Sequence, residues 1–358
     1  MGIAANLEGR TVPGKKMPGL WTILDRLTDP DGNSGGKRSF GYRVRHESGK
    51  EGFLKASDAD LAHDNDESIA VRLQAVLMHH SFEAGVSEHC RGNSMDRVSL
   101  TIDFGDAMLE NNGVKEPLFY LIFELADGDV RTHALIEKNW TFAQKFSLLH
   151  HVTVGISQLH GALVSHNDIK PPNILVYSDG HRVADLGQAT REDILAPHDC
   201  NAIVGDPRYA APEVLYAKDG KPGQRIFSNE SRRACDLYLL GSFIYYLFCG
   251  RMLTPSLVDR MSALHRPLAV GGWGGTFLEV LPYWRAAFGE EIECLADTLA
   301  ASADPAVRKY ADQIVDCVLQ LSEPDPARRG HPAEIYPRGT HYSLKRYVSL
   351  FDRLAQVG

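Results

Sequence analysis

The stretch SHNDIKPPNILV, Ser165 to Val176, followed shortly by VADLG, Val183 to Gly187, decides the reading of this chain. Asp168 and Asn173 lie on a loop that must fold back, and Asp185 sits on the next β-turn, so three oxygen-bearing side chains converge beside Lys170. Those are the groups that phosphoryl transfer calls for. The reaction needs little covalent help from protein: a residue to orient the attacking hydroxyl, positive charge on the departing phosphates, and carboxylate or amide oxygens to hold Mg²⁺.

On the N-terminal side, the breakers Pro13, Gly14, Pro18 and Gly19 predict an irregular arm over residues 1–18. From Trp21 to about Ser57 the runs WTILDRL, RSFGYRVRHE and EGFLKAS, separated by the glycine-rich DGNSGG and a turn at Ser48-Gly49-Lys50, read as short antiparallel strands. A helix follows between Asp66 and Cys90, with Ile69, Val71, Leu73, Val76, Leu77 and Phe82 as its apolar positions. Two more strand-like segments, RVSLTIDFG and PLFYLIFELA, complete a first lobe over 19–126. Beyond it helices dominate, and Leu148, Val152, Ile156 and Leu159 draw one buried stripe. The expected fold class is α+β: a small antiparallel sheet lobe with one main helix, a larger mainly α lobe over 127–340, and a C-terminal amphipathic helix over 341–358 packed on that lobe through Tyr347, Leu350, Phe351 and Leu354. The glycine-rich AVGGWGGTF, 269–277, reads as a loop.

With 358 residues, 44% apolar and 23% charged, the chain has material for two lobes and an ordinary globular core. A formal charge of −8 and the lack of a long Lys/Arg run argue against nucleic acid as partner, so a protein partner is expected. The cysteines Cys90, Cys200, Cys235, Cys249, Cys294 and Cys317 form no CxxC pair and are expected to be free thiols. Neither a signal peptide nor an 18-residue apolar run is found, which leads to the expectation of a cytoplasmic protein with no membrane partner.

The loop at 165–176 resembles the HRDxKxxN catalytic loop of the eukaryotic-like (Hanks-type) protein kinases, and VADLG resembles their DFG element. The resemblance extends over about residues 20–335 and implies an ATP- and Mg²⁺-dependent kinase acting on a protein hydroxyl, Ser/Thr first. It implies Asp168 as base or orienter, Lys170 as the γ-phosphate contact, and Asn173 and Asp185 as magnesium ligands. FLK, Phe53 to Lys55, is similar to the third-strand lysine motif, so Lys55 would meet the α- and β-phosphates with Glu83 as its helix partner and Glu88 as second choice. YLIFELADGD is similar to the hinge strand: Phe123 would be gatekeeper, the Glu124 carbonyl and the Ala126 amide would meet adenine, and Leu175 would close its pocket. GDPRYAAPEVL, Gly205 to Leu215, resembles the GTPxYxAPE platform segment, which pairs Glu213 with Arg329. Asp236 in CDLYLLG resembles the helix carboxylate that supports the catalytic loop.

Several positions depart from the family pattern. Asn167 replaces the Arg of HRD, and Thr190 is the one hydroxyl between Asp185 and Arg208, so activity is expected not to depend on loop phosphorylation. Asp206 replaces the Thr of GTP and is expected to compete for Lys170 and to repel Asp168, raising the pKa of one of them. The glycines Gly32, Gly35 and Gly36 do not reproduce GxGxxG, with Gly35 and Gly36 as its phosphate-covering candidates; Phe53 stands where a small residue lines adenine, and Ser87 where an apolar one is expected. Two other readings stay open: a pseudokinase serving as a binding or scaffold module, and a small-molecule phosphotransferase. The single-domain layout resembles stand-alone bacterial members of the family.

Overall fold

The computed structural model describes residues 2–27, 39–58, 68–111, 113–136, 140–335 and 341–357. Two compact units result: Met1–Ser94 with Val98–Gly128, and Met95–Arg97 with Asp129–Gly358.

The first unit is built on an antiparallel sheet of β1 (Thr11–Pro13), β2 (Leu20–Leu27), β3 (Ser39–His46), β4 (Glu51–Ser57), β5 (Thr101–Asn111) and β6 (Val114–Glu124), in the order β1-β2-β3-β4-β6-β5. Alternation along the strands gives it two apolar faces. Leu54, Ala56, Leu118, Tyr120 and Ile122 point to one face and are fully buried, whereas Leu121 and Phe123 point to the other with Ala84 of helix α1 (Ile69–Gly92).

The N-terminal residues cover the first face, which corrects the expectation of an irregular arm. Val12 pairs with Trp21 in β2, and Ile3, Ala4 and Leu7 join the core beneath the sheet with at most 1% exposure. Buried polar groups tie the segment down. Ile3 N donates to Glu116 Oε2 at 3.0 Å, Ala4 N to Asp58, and Tyr42 Oη to the Ala4 carbonyl at 2.8 Å. Further along, the buried Asp103 accepts from the backbone of Lys15 and Lys16 and from Trp21 Nε1. The prolines and glycines that suggested an irregular arm shape a chain held by side chains far away in sequence.

Helix α1 also differs from its expected apolar set. Val76 and Phe82 are buried, but Ile69, Val71 and Leu77 stand about half exposed.

A two-residue strand β7 (Gly128–Asp129) precedes α2 (Val130–Ile136) and α3 (Phe142–Gly161) of the second unit. Thr141 and Gln144 form a capping box that sets the start of α3. Short pieces follow: β8 (Val164–Ser165), the hairpin β9 (Ile174–Tyr177) and β10 (Gly180–Val183), and β11 (Thr190–Arg191), which pairs with β8. The rest is helical: α4 (Asn229–Cys249), α5 (Leu253–Arg260), α6 (Phe277–Ala300), α7 (Pro305–Lys309), α8 (Ala311–Leu321), α9 (Pro332–Ile335) and α10 (Lys345–Ala355).

The predicted stripe of α3 is fully buried, and α10 lies along α3 with the Phe146 and Phe351 rings 5.8 Å apart. Trp284 and Phe243 fill the centre of the same core. Residues 266–273 close a tight loop in which Trp273 N donates to the Arg266 carbonyl. None of the six cysteines is in a disulfide, and Cys90, Cys235 and Cys317 are buried. Among the described residues no single helix is long and apolar enough to cross a membrane.

Because Ile3 is buried to 1% exposure under the sheet, Ile3→Ala is expected to cost about 2–5 kcal/mol. Denaturant midpoints of the variant and the wild type measure that loss, and an unchanged midpoint would contradict the covering role.

Candidate active site

In the sheet unit, β4 turns Leu54 and Ala56 into the core and so presents Phe53 and Lys55 on the face that α1 covers. Lys55 Nζ reaches Glu83 Oε1 at 2.9 Å and Oε2 at 3.0 Å, with both side chains largely shielded. Of the two carboxylates considered for this partner, Glu83 takes it. Glu88, one turn and a half further along the helix, binds Lys16 and Arg91 instead.

Ser87 lies between those two glutamates and is buried. Its hydroxyl exchanges a 2.9 Å hydrogen bond with Thr101 Oγ1 and accepts from Thr101 N at 2.8 Å. A polar clamp from α1 to β5 thus stands where an apolar contact was expected.

Phe53 is accommodated by its neighbours. Its ring sits beside Phe123, and a Cβ on Gly41 would come within 2.7 Å of it, so the missing side chain of Gly41 makes room. Phe53 and Phe123 are directly paired across β4 and β6, as are Gly52 and Glu124, and Ala126 follows just beyond the end of β6. The glycine-loop candidates Gly32, Gly35 and Gly36 lie outside the described residues.

In the helical unit the catalytic-loop candidates are in mutual contact. Asp168 is buried; its Oδ2 accepts from Asn173 Nδ2 at 2.9 Å and lies 2.9 Å from Lys170 Nζ, while its Oδ1 accepts from Asp206 N at 3.0 Å. Gly205, at φ +85°, permits the last contact, since a Cβ there would meet the Asn167 carbonyl at 2.5 Å.

The backbone around Asp168 is fixed from below. Asp236, with no exposure, accepts from His166 N at 2.8 Å, from Asn167 N at 2.7 Å, and binds His160 Nε2 at 2.8 Å. Asn167 adopts φ 63°, in the left-handed region that a bulkier side chain would resist. Its amide donates to the carbonyls of Ser165 and Gln188 and to Thr190 Oγ1. The residue that replaces the family arginine is therefore a strut from the catalytic loop to the start of the following segment.

Burial is the main force on Asp168, raising its carboxyl above the usual range; Lys170 pulls the other way and the Asp185 charge adds to the rise. Asp185 sits at φ 64° with its carboxylate accepting from Gly187 N. Leu175 is half-buried on β9, next to Ile174 and Asn173.

Asp206 behaves differently from the expectation. Burial alone would raise its carboxyl, but Arg208 binds it through Nε at 3.0 Å, Nη2 at 2.7 Å and its own backbone N–H, and the net shift is downward. Lys170 remains nearer Asp168, with 3.8 Å to Asp206. The second carboxylate that pushes Asp168 up is Asp185, and Arg208 neutralises Asp206.

The residues fit a magnesium ion that shares its shell with a nucleotide. Asn173 spends its amide protons on the Asp168 carbonyl and carboxylate, which leaves its oxygen as the ligand end. With Asp185 that makes one carboxylate and one amide oxygen. Among the described residues no group of three His, Cys, Asp or Glu could hold a metal unaided. Mg²⁺ commonly takes one or two protein oxygens plus phosphate oxygens and water, which matches this donor set.

Beyond the loop, Glu213 receives a two-pronged contact from Arg329 at 2.7 and 3.0 Å, and the fully buried Arg329 also donates to the carbonyls of Glu323, Pro324 and Ala234. Breaking one side of such a pair strands the other charge in the interior. The sequence reading did not single out Gln188, Arg208, Thr101 or Asp103 as supporting residues: Gln188, Thr101 and Asp103 act on partners distant in sequence, and the Arg208–Asp206 pair carries no motif.

Comparison with known proteins agrees with this arrangement. Residues 102–271 match the model of the protein kinase domain. Human myotonin-protein kinase is 36% identical over 109 residues, 30% of this chain and 16% of the relative. A serine/threonine-protein kinase of Drosophila ananassae is 28% identical over 230 residues, 60% of this chain and 27% of the relative, and one of Drosophila simulans is 28% identical over 205 residues, 55% and 25% respectively. The chain spans less than a third of the length of these curated relatives. A sheet unit with one long helix, a larger helical unit, the Asp168 loop held on Asp236 and the matched domain model agree: over residues 102–271 this chain is similar to the protein kinase domain.

Proposed function

We propose that the protein is an active Mg-ATP-dependent kinase that phosphorylates a serine or threonine hydroxyl of a protein, without needing a phosphate on its own activation segment. The observation that carries this reading is the set of contacts at Asp168: a buried carboxylate oriented by Asn173, balanced by Lys170 and raised in basicity by its surroundings.

Each group has a role in that reading. Asp168 accepts the hydrogen bond of the incoming hydroxyl and takes its proton as the bond to phosphorus forms. Lys170 offsets charge on the transferred group. Lys55, fixed by Glu83, meets the α- and β-phosphates, and Asn173 and Asp185 hold Mg²⁺. Bound Mg-ATP supplies the γ-phosphoryl group and the metal's charge neutralisation. The acceptor class rests on the names of the Drosophila relatives, both serine/threonine-protein kinases. A protein substrate is favoured by the buried Glu213–Arg329 pair under the platform segment.

Independence from loop phosphorylation rests on Thr190. It is the sole hydroxyl between Asp185 and Arg208, it is 3% exposed, and its oxygen accepts from Asn167. A kinase cannot reach it without unfolding β11.

Labelled ATP with Mg²⁺ and a generic protein substrate tests the reading. Wild type is expected to transfer label, and Asp168→Ala and Asp185→Ala to lose at least about a hundredfold of that rate; label transfer that survives both substitutions sinks the proposal.

The pH dependence follows from the sign of the shift on Asp168. Its ionised form is the working form and its pKa is raised, so activity is lost as pH falls through a value above the ordinary 3.8. The acid limb of the rate profile is expected above that value, and Asp206→Asn is expected to leave it in place because Arg208 balances Asp206. A limb that moves with Asp206→Asn would contradict the charge assignment.

A further inference from the structure

The segment between Asp185 and Asp206 is tied at both ends to the catalytic loop. At its start β11 pairs with β8, Glu192 N donates to the Leu163 carbonyl, and the buried His198 binds the Ala189 carbonyl through Nε2 at 2.9 Å. At its end Gly205 N donates to Gln188 Oε1 and Asp206 N to Asp168. Between them residues 192–195 are exposed, and one guanidinium binds the carbonyls on this stretch.

Arg225 lies outside the segment, well beyond it in sequence. Its Nη2 donates to the carbonyls of Arg191 and Ile194, both at 2.6 Å, its Nη1 to the Glu192 carbonyl at 2.9 Å, and its Nε to Asp199 Oδ2 at 3.0 Å. The Asp199 carboxylate is 3% exposed and also accepts from Ala196 N at 2.9 Å. Two backbone bonds, Ile226 N to the Asp199 carbonyl and Gly220 N to the Cys200 carbonyl, and a bond from Ala202 N to the Asp219 carboxylate close the other side.

Most of the guanidinium donors are therefore spent on one stretch of chain. A fixed charge placed against a buried carboxylate, with three carbonyls around it, gives the charge-assisted bonding that orders a loop. A phosphorylated side chain does the same by drawing cations together. Here the anion is encoded as Asp199.

We infer that Asp199 and Arg225 are positioning residues that hold 189–206 in the shape that presents Asp206 N to Asp168 and readies the platform for a protein substrate, in place of a phosphate. The inference rests on the kinase reading above and names how that site is regulated: it is permanently ordered. It predicts a particular split. Loss of the clamp harms the use of the protein substrate and spares nucleotide binding, since Lys55 and Glu83 are not part of it.

The test compares Arg225→Met, Arg225→Lys and Asp199→Asn with wild type by two readouts. Amide hydrogen exchange of peptides from 189–206 is expected to speed up about tenfold or more in Arg225→Met and Asp199→Asn, with partial rescue in Arg225→Lys, which keeps the charge but not the fork. The KM for a protein substrate is expected to rise, or kcat to fall, by about tenfold or more, while the Kd for Mg-ATP stays that of wild type. Unchanged exchange in both Arg225→Met and Asp199→Asn overturns the inference, and so does a loss of Mg-ATP affinity equal to the loss of substrate use. If wild type transfers no phosphate at all, the kinase reading fails, and exchange alone then decides whether the clamp orders the segment.

Discussion

Asp236 is the contact on which the candidate site depends. The catalytic loop passes through a left-handed residue at Asn167, a conformation that costs free energy unless the surroundings impose it. A carboxylate with no exposure, on a helix that runs through the middle of the core, imposes it by taking two consecutive backbone N–H groups. Those two bonds fix the direction in which Asp168 leaves the loop. Lys170, Asn173 and the Asp206 N–H then meet Asp168 from different sides.

Placed charge takes the place of flexibility elsewhere too. In the sheet unit the Ser87–Thr101 bonds and the Lys16–Glu88 pair anchor helix α1 just beyond Glu83, the residue that holds Lys55. In the helical unit Asn167, a neutral strut, occupies the position of a family cation, and Arg208 neutralises a carboxylate next to the reacting centre. The departures from the family pattern come with local compensations: Gly41 accommodates Phe53, Thr101 satisfies Ser87, and Arg208 satisfies Asp206.

The legible part of the sequence was the part whose function requires fixed residue types at short spacing. Asp168, Lys170, Asn173 and Asp185 fall within one loop and the next turn, and the stripe on α3 follows helical periodicity. Long-range partners fixed by the motif order, Lys55 with Glu83 and Glu213 with Arg329, were legible for the same reason. Residues 2–18 misled the reading because proline and glycine punctuate strands and loops alike, and the anchors Asp58, Asp103 and Glu116 come from far along the chain. The first turns of α1 misled it because apolar residues at helical spacing do not by themselves require a covering surface, and Ile69, Val71 and Leu77 stand half exposed. Arg225 and Asp199 carry no local signature, since a single arginine that gathers backbone carbonyls leaves no pattern in sequence.

The measurement that tests the account most directly is the turnover of protein substrate by Asp236→Asn, taken together with its thermal midpoint and its affinity for Mg-ATP. If Asp236 sets the loop that aims Asp168, a folded variant that still binds nucleotide should lose about a hundredfold in kcat, the scale of a small misplacement of a reacting group. A folded Asp236→Asn protein that turns over like wild type would mean that the loop holds its shape without that carboxylate, and the account would be wrong at its foundation.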